Sequence, residues 1–124
     1  MKIMNTKLAP TAIGPYSQGI MIADFIVTSG QIPVDPLTNQ IVEGIENQAE
    51  QCCQNIEGLL KSYGSDMSQV IKTTCYLKNM NDFEIFNKIY EKYFISQPAR
   101  SLVAVKELPK NVLCEIEAIA YKEE

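Results

Sequence analysis

An amphipathic stretch near the middle of the chain does most to limit what the chain can fold into. Its apolar residues recur every three or four positions, the spacing of one face of an α-helix: Ile45, Ala49, Cys52, Cys53, Ile56, Leu59, Leu60 and Tyr63. Glutamates cluster at its start, where the helix dipole favours negative charge, and Gly64 follows its last turn. A helix with one apolar face needs a second layer to cover that face, so the flanking segments must supply it.

A second stretch has the same helical spacing. Its apolar positions are Phe83, Phe86, Ile89, Tyr90, Tyr93 and Phe94. Asn81 stands where it can cap the start of this helix, and Glu84 follows three residues later, in the pattern of a capping box. The sequence therefore predicts two helices, each with a single apolar face.

The segments before the first helix are rich in β-branched and apolar residues. Residues 16–22 and 25–32 predict two strands joined by a two-residue turn as a tight hairpin. We expect residues 1–12 to form a short edge strand and a loop, because Pro10 limits the ladder hydrogen bonds. Residues 33–38, with two prolines and an aspartate, predict a loop.

Three more strands are predicted between and after the helices. Residues 70–78 alternate along their length in the manner of a strand. Residues 101–108 and 113–122 predict a second hairpin around a turn at residues 109–111, which contains a proline and an asparagine. The element order is thus strands, helix, strand, helix, strands.

This order predicts an α+β fold in a single domain spanning residues 1–124. Right-handed crossovers would place both helices on one face of a single mixed β-sheet. The opposite face would have no helix to cover it, although neighbours such as Ile26 and Val27, or Val103 and Ala104, are apolar on both sides of their strands. Because an uncovered apolar face needs a partner chain, we expect a homo-oligomer.

Charge and composition narrow the classes of partner. The net charge of −4 disfavours tight, non-specific binding to nucleic acid, which depends on basic surface. No apolar run is long enough for a signal peptide or a membrane span, so we expect a cytoplasmic protein without a membrane partner. With 46% hydrophobic residues the chain has enough apolar material for one modest core.

The four cysteines predict neither a metal site nor a bound cofactor. Cys52, Cys53, Cys75 and Cys114 show no C-x-x-C spacing, and the chain has no histidine. A zinc site would need all four thiolates gathered from three separate elements. Each cysteine falls within an apolar pattern, which indicates small buried thiols that stay reduced.

Arg100 is the single arginine among 11 lysine and arginine residues. A planar guanidinium grips a carboxylate or phosphate through two parallel hydrogen bonds, which a lysine cannot do. We therefore interpret Arg100 as an anion clamp, with a surface or interface salt bridge as the alternative.

Motifs along nearly the whole chain resemble one known family. They are Gly14-Pro15-Tyr16, Ser29-Gly30-Gln31-Ile32-Pro33, Pro98-Ala99-Arg100-Ser101, Leu108-Pro109-Lys110 and Glu115-Ile116-Glu117-Ala118. In this order they resemble the reactive intermediate deaminase family, also called RidA or YjgF. The resemblance implies a chorismate-mutase-like fold and a homotrimer with sites in the clefts between subunits. It also implies hydrolysis of reactive 2-enamino and 2-imino acids, such as 2-aminoacrylate and 2-aminocrotonate, to 2-keto acids and ammonia.

The resemblance also implies roles for particular residues. Arg100 corresponds to the arginine that binds the substrate carboxylate, and Glu115 to the glutamate that positions or activates water. Further pocket positions fall on Tyr16, Ser29 and Asn87. Leu102 replaces a frequent cysteine, at a position where the backbone N–H suffices. Residues 95–97 form a shorter loop than is typical, and Gln97 stands where an aromatic residue is common.

The residues alone leave other interpretations open. Glu115 and Glu117 share one strand face and could both be solvated acids, Tyr16 could be a core aromatic residue, and Ser29 and Asn87 could be turn and helix-surface residues. A nuclease or translation inhibitor is a second possible function, although the acidic charge and the lack of histidine disfavour it. A non-catalytic, metabolite-binding member of the same family is a third, because an anion clamp serves binding as well as turnover.

Overall fold

Eight strands and two helices make up the computed structural model, which describes residues 1–123. In chain order they are β1 (Lys2–Met4), β2 (Gly19–Ile22), β3 (Phe25–Thr28), β4 (Val34–Asp35), β5 (Gln40–Ile41), α1 (Ile45–Ser62), β6 (Val70–Leu77), α2 (Phe83–Tyr93), β7 (Ala99–Ala104) and β8 (Cys114–Tyr121). Six strands form one mixed sheet in the order β1-β2-β3-β8-β6-β7. Only the β6–β7 pair is parallel.

Both helices pack on the same face of this sheet, as predicted. Strand alternation on β8 turns Cys114, Ile116, Ala118 and Ala120 towards the helices, and all four are buried. The helices contribute further buried side chains, among them Ala49, Cys52, Cys53, Ile56, Leu59, Leu60, Phe86, Ile89 and Tyr90. The core therefore lies between one face of the sheet and the two amphipathic helices, which confirms the α+β prediction.

The first helix ends where the sequence predicts it. Gly64 has φ +85°, a left-handed conformation that glycine adopts without strain. The N–H of Gly64 donates to Lys61 O at 3.4 Å, and the N–H of Ser65 donates to Leu60 O at 2.9 Å. These bonds satisfy carbonyls of the last helical turn.

The predicted hairpin between the last two strands is wrong. Strand β6 lies between β7 and β8, pairing in parallel with β7 and antiparallel with β8. The connection from residue 105 to residue 113 is too long to be a tight turn, and Lys110 and Asn111 bend it through left-handed backbone conformations. It therefore carries the chain past β6 instead of folding β8 back onto β7.

Three local predictions also need correction. The predicted Asn81 cap is wrong: the side chain of Asn79 accepts from the Asn81 N–H and starts a short 3₁₀ turn that leads into α2. The predicted loop at residues 33–38 contains β4, which pairs with β5 as a separate ribbon. A register shift between Val70 and Lys72 interrupts the predicted alternation of β6. Uninterrupted alternation would place Ile71 on the buried face with Thr73, but Ile71 is exposed and Val70 is buried instead.

The sheet face opposite the helices carries exposed apolar side chains. Ile22 is 56% exposed, Phe25 46% and Val27 42%, whereas Ile26, on the other face of the same strand, is fully buried. The predicted β2–β3 hairpin that carries them is confirmed, with Ala23 at φ +50° in its turn. No element of the described chain packs over this surface in the way that the helices cover the other face.

Buried amide side chains attach the irregular segments to the core. Gln18 donates to the carbonyls of Ala9 and Pro10, and Gln48 accepts from the N–H of Leu113. Asn55, which is 1% exposed, donates to the carbonyls of Ile32 at 3.2 Å and Val34 at 3.0 Å. Their other hydrogen-bond partners are Thr6 for Gln18, Val42 for Gln48 and Gln51 for Asn55.

Asn55→Leu should destabilise the fold because it keeps the branched shape of the side chain but removes its hydrogen bonds to Ile32, Val34 and Gln51. The Val34 carbonyl would then lose its partner, whereas the Ile32 carbonyl keeps the N–H of Val34, and the expected cost is about 1–3 kcal/mol. Urea unfolding at fixed protein concentration measures this loss. Asn47→Ala is the control, since it removes one exposed hydrogen bond of the same helix, to the carbonyl of Glu43, and equal losses in the two variants would contradict the assignment.

Candidate active site

The structure divides the predicted site residues between two cavities. Arg100 and Asn87 line one of about 740 Å³, at the open edge of the sheet beside α2. Tyr16, Ser29 and Glu115 line another of about 600 Å³. The two cavities share no lining residue.

Strand register fixes the position of Arg100. Its Cα partner on β6 is Thr73, whose side chain is buried under α2, so the Arg100 side chain lies on the same face as the helices. Arg100 Nη1 donates to Asn87 Oδ1 at 2.7 Å. The guanidinium carbon lies 4.7 Å from the centre of the Tyr90 ring and 5.9 Å from that of Phe83. An amide oxygen and two aromatic rings therefore surround the cation.

The guanidinium of Arg100 is not paired with any carboxylate that the structure describes. Among residues 1–123 the one ion pair within 4.0 Å joins Lys61 and Glu57, on the outer surface of α1. The alternative of a salt bridge is thus not realised within the described chain. The positive charge of Arg100 remains available to an anion from outside.

Glu115 lies on the opposite face of the sheet. It is half-buried between Cys114 and Ile116, whose side chains point into the core, and its Cα partner on β6 is Tyr76. Burial raises the pKa of Glu115 above its ordinary value of 4.5, and the neighbouring charge of Glu117 raises it further. A carboxyl group of this kind exchanges protons closer to neutral pH than a solvated glutamate does.

Gly30 makes room for the Glu115 carboxyl group. A Cβ atom at position 30 would lie far inside contact distance of Glu115 Oε2. The neighbouring bonds between Gln31 and Ile116 hold the two segments together, with N···O distances of 2.7 and 3.1 Å. Any side chain at position 30 would therefore displace the carboxyl group or separate these segments.

Tyr16 and Ser29 complete this second cavity. Tyr16 is 54% exposed, which excludes the alternative of a core aromatic residue, and its hydroxyl accepts from the N–H of Ile13 at 3.3 Å. The hydroxyl of Ser29 donates to the carbonyl of Ser17. Lys110 also lines the cavity and is the basic residue in its wall.

Leu102 and Gln97 lie near Arg100. The side chain of Leu102 packs against the core, and it lines neither cavity. Because Val105 N donates to Leu77 O, alternation turns the N–H of Leu102 towards the open edge of β7. Gln97 has φ +51° and lines the cavity of Arg100, in the loop predicted to be short.

Sequence reasoning missed the part that Tyr90 and Gly30 play. Tyr90 was assigned only to the apolar stripe of α2, although it lies three residues from Asn87 and therefore on the same helix face. Gly30 belonged to a recognised motif, but its close approach to Glu115 depends on the pairing of distant segments. Only the contribution of Tyr90 could be predicted from the local sequence, through its spacing from Asn87.

Arg100 and Glu115 cannot reach one small ligand within a single chain. They lie on opposite faces of the sheet, and β6 separates their strands. The chain thus has a guanidinium without a carboxylate partner in one cavity and a carboxyl group with a raised pKa in the other.

In residues 1–123, no group of three or more His, Cys, Asp or Glu side chains is arranged to hold a metal ion. Neither α1 nor α2 has the length and apolar character needed to cross a bilayer.

Comparison with known proteins identifies the class. A family model described as Endoribonuclease L-PSP matches residues 6–122. AldR of Lactococcus lactis, named as a candidate regulator, is 55% identical over 122 residues, or 97% of each chain. The 2-iminobutanoate/2-iminopropanoate deaminase of Salmonella typhimurium is 43% identical over 125 residues, or 98% of each chain. The structure of E. coli TdcF with bound serine matches with a TM-score of 0.95 at 39% identity, covering 99% of this chain and 100% of that one.

The sheet with its two helices and these matches together identify the chain as a small α+β domain. The chain belongs to the RidA/YjgF family. The resemblance inferred from its motifs is thereby confirmed. The names of the relatives differ, since they include a deaminase, a regulator and an endoribonuclease.

Glu117→Gln should lower the pKa of Glu115, because it removes the neighbouring negative charge that disfavours ionisation. An NMR titration of the Glu115 side-chain carboxyl carbon measures the change. Glu107→Gln is the control, since Glu107 is an exposed glutamate of the connection after β7. An unchanged or raised pKa in the Glu117 variant would show that the two carboxylates do not interact.

Proposed function

We propose that this protein is a hydrolytic deaminase that converts 2-imino acids, and the 2-enamino acids from which they form, to 2-keto acids and ammonia. The observation that carries the proposal is the unneutralised guanidinium of Arg100, held by Asn87 in an open cavity. Each such substrate and product carries a planar carboxylate, the group that an arginine fork binds best. The naming of a relative at 43% identity as a 2-iminobutanoate/2-iminopropanoate deaminase supports this choice.

The reaction needs only proton transfers and water. An enamine takes a proton at C3 to become an iminium ion, and water then adds to C2 while the electron pair of the C=N bond moves to nitrogen. Proton transfer from oxygen to nitrogen allows the C–N bond to break, which releases ammonia and the keto acid. Glu115, with its raised pKa, would take the proton from water and return it to nitrogen. Positioned acid–base catalysis of this kind contributes about 10²- to 10⁴-fold.

The complete site is proposed to form between copies of the chain. In a head-to-tail homotrimer, each cleft would receive Arg100 from one copy and Glu115 from the next. Two observations support this arrangement: the residues lie on opposite faces of one sheet, and the face without helices exposes Ile22, Phe25 and Val27. Burial of that face against another copy would remove an apolar surface from water. We further propose that the trimer acts in the cytoplasm, consistent with four unpaired cysteines.

The name endoribonuclease, which the family model carries, is less well supported for this chain. Backbone recognition of RNA depends on clustered positive charge, whereas this chain has a net charge of −4. The serine bound to TdcF is itself a small molecule with a carboxylate, so that relative takes an amino-acid ligand. A small carboxylate is therefore the better candidate.

The direct test generates 2-aminocrotonate with a threonine dehydratase and measures whether the protein accelerates the release of 2-ketobutyrate. Arg100→Lys keeps the charge but loses the fork, so its rate should fall by roughly 10- to 100-fold, as expected for a lost charge-assisted hydrogen bond. Lys88→Gln, at an exposed position beside Asn87, is the control for loss of a nearby positive charge. Absence of acceleration by the wild-type protein would contradict the proposed function.

Mixing two inactive variants tests whether the site is shared between subunits. Every mixed trimer of Arg100→Ala and Glu115→Gln chains contains one cleft with both intact residues. Random one-to-one mixing makes about three quarters of trimers mixed, so about a quarter of wild-type activity should return. Mass measurement on the refolded mixture verifies that mixed trimers are present. Their failure to recover activity would place the two residues in the same chain's site or in different sites.

A further inference from the structure

We infer that Tyr90 and Thr73 are positioning residues for Arg100, and that together with Asn87 they orient its guanidinium without neutralising its charge. We refer to Asn87, Tyr90 and Thr73 as the arginine cradle. The inference rests on the proposed role of Arg100 as the carboxylate clamp. It adds two residues that act through Arg100 to Arg100 and Asn87, which the site already requires.

The Tyr90 ring is fixed in place on several sides. It is 8% exposed, and its hydroxyl forms a 2.7 Å hydrogen bond with Thr73 Oγ1, which is 1% exposed. Its ring stacks on Phe94 with centroids 4.4 Å apart and contacts Phe86 at 6.0 Å. Burial raises the pKa of Tyr90, so the hydroxyl stays protonated at neutral pH. The ring therefore presents a fixed face to the guanidinium.

Thr73 connects this ring to the strand that carries the clamp. Thr73 is the Cα partner of Arg100 in the parallel β6–β7 pair. The same residue thus lies beside the Arg100 backbone and bonds the aromatic ring that supports the Arg100 side chain. Thr73 therefore helps to position both the backbone and the side chain of Arg100.

The chemistry of the cradle is suited to binding an external anion. A carboxylate partner would orient the guanidinium equally well, but it would neutralise the charge and compete with the ligand. An amide oxygen and an aromatic face attract a cation through dipole and quadrupole, and neither carries a net charge. Asn87 occupies one of five N–H donors, which leaves donors for a planar carboxylate.

Because Arg100 is the chain's single arginine, arginine-labelled protein gives one Nε–H signal in an NMR spectrum. In the wild-type protein the Nε–H group should be rigid, and the Tyr90 ring current should displace its chemical shift. Tyr90→Phe keeps the ring but loses the hydrogen bond to Thr73, so the ring-current displacement should remain while the Nε–H group becomes more mobile, whereas Tyr90→Leu should lose both properties. KM for the imino acid should rise about tenfold in Tyr90→Leu with a much smaller change in kcat, since the clamp binds the substrate and its transition state alike.

Two further variants separate the positioning role from a merely structural one. Thr73→Val removes the same hydrogen bond and should make the Arg100 Nε–H group as mobile as in Tyr90→Phe, and the double variant should show no further change, because one bond accounts for both effects. Asn87→Asp should make Arg100 more rigid and yet weaken the binding of 2-ketobutyrate by about tenfold, since the clamp is then neutralised.

The outcomes distinguish this inference from the proposed function. A folded Tyr90→Leu variant with an unchanged Arg100 signal and KM would overturn the positioning role of Tyr90. Should that variant not fold, an unchanged mobility of the Arg100 Nε–H group in both Tyr90→Phe and Thr73→Val would overturn the positioning roles of these two residues instead. Undiminished 2-ketobutyrate binding by Asn87→Asp would overturn the argument from charge. Loss of the deaminase proposal would appear separately, as wild-type protein without turnover, while the NMR signal still decides whether the cradle orders Arg100.

Discussion

The ladder between β6 and β8 is the interaction on which the rest of the structure depends. These are the longest strands, at 8 residues each, and they pair from Val70 and Ala120 to Leu77 and Cys114. Strand β8 joins the N-terminal strands to this ladder, and β6 joins the strand of Arg100 to it. The pleat of β8 also decides which side chains enter the core and which face away. Both the core and the division of the site between two faces therefore follow from one pairing.

The two candidate cavities have opposite electrostatic environments. Around Arg100 the chain supplies an amide and aromatic rings, which leave a full positive charge in an open cavity. Around Glu115 it supplies burial and a second carboxylate, which make a negative charge less favourable. One cavity is thus suited to hold an anion, and the other to exchange a proton. A reaction of an anionic substrate that needs only anion binding and proton exchange is compatible with these two environments.

The sequence predicted the features whose cause is local. The periodicity of residues 45–63 predicted α1 almost to the residue, because the pattern of an amphipathic helix is contained within its own span. Arg100 was recognisable by its chemistry, being the one arginine of the chain. The β7–β8 hairpin failed because pairing partners are not encoded in the spacing of either strand. Nothing in residues 101–122 indicates that β6, some thirty residues earlier, inserts between them.

The same limit applies to the site. The positions of Tyr16, Ser29, Asn87, Arg100 and Glu115 came from the family resemblance, but their division between two cavities came only with the structure. Tyr90 shows why periodicity hides such residues, since a single side chain both fills the core and supports the guanidinium. An apolar pattern reports burial of a position and not what its aromatic face contacts.

The attachment of the first three strands has a consequence for the time course of folding. Within the described chain they join the sheet only through β8, and the hydrogen bond from Ala118 N to Thr28 Oγ1 spans 90 positions. Closing so long a loop costs chain entropy before any contact compensates for it. The ladder of β6 and β8 spans a shorter loop and should form first, so that the N-terminal hairpin docks late onto an edge that already exists. A slow rate for a chain of this size follows from its topology, whatever its final stability.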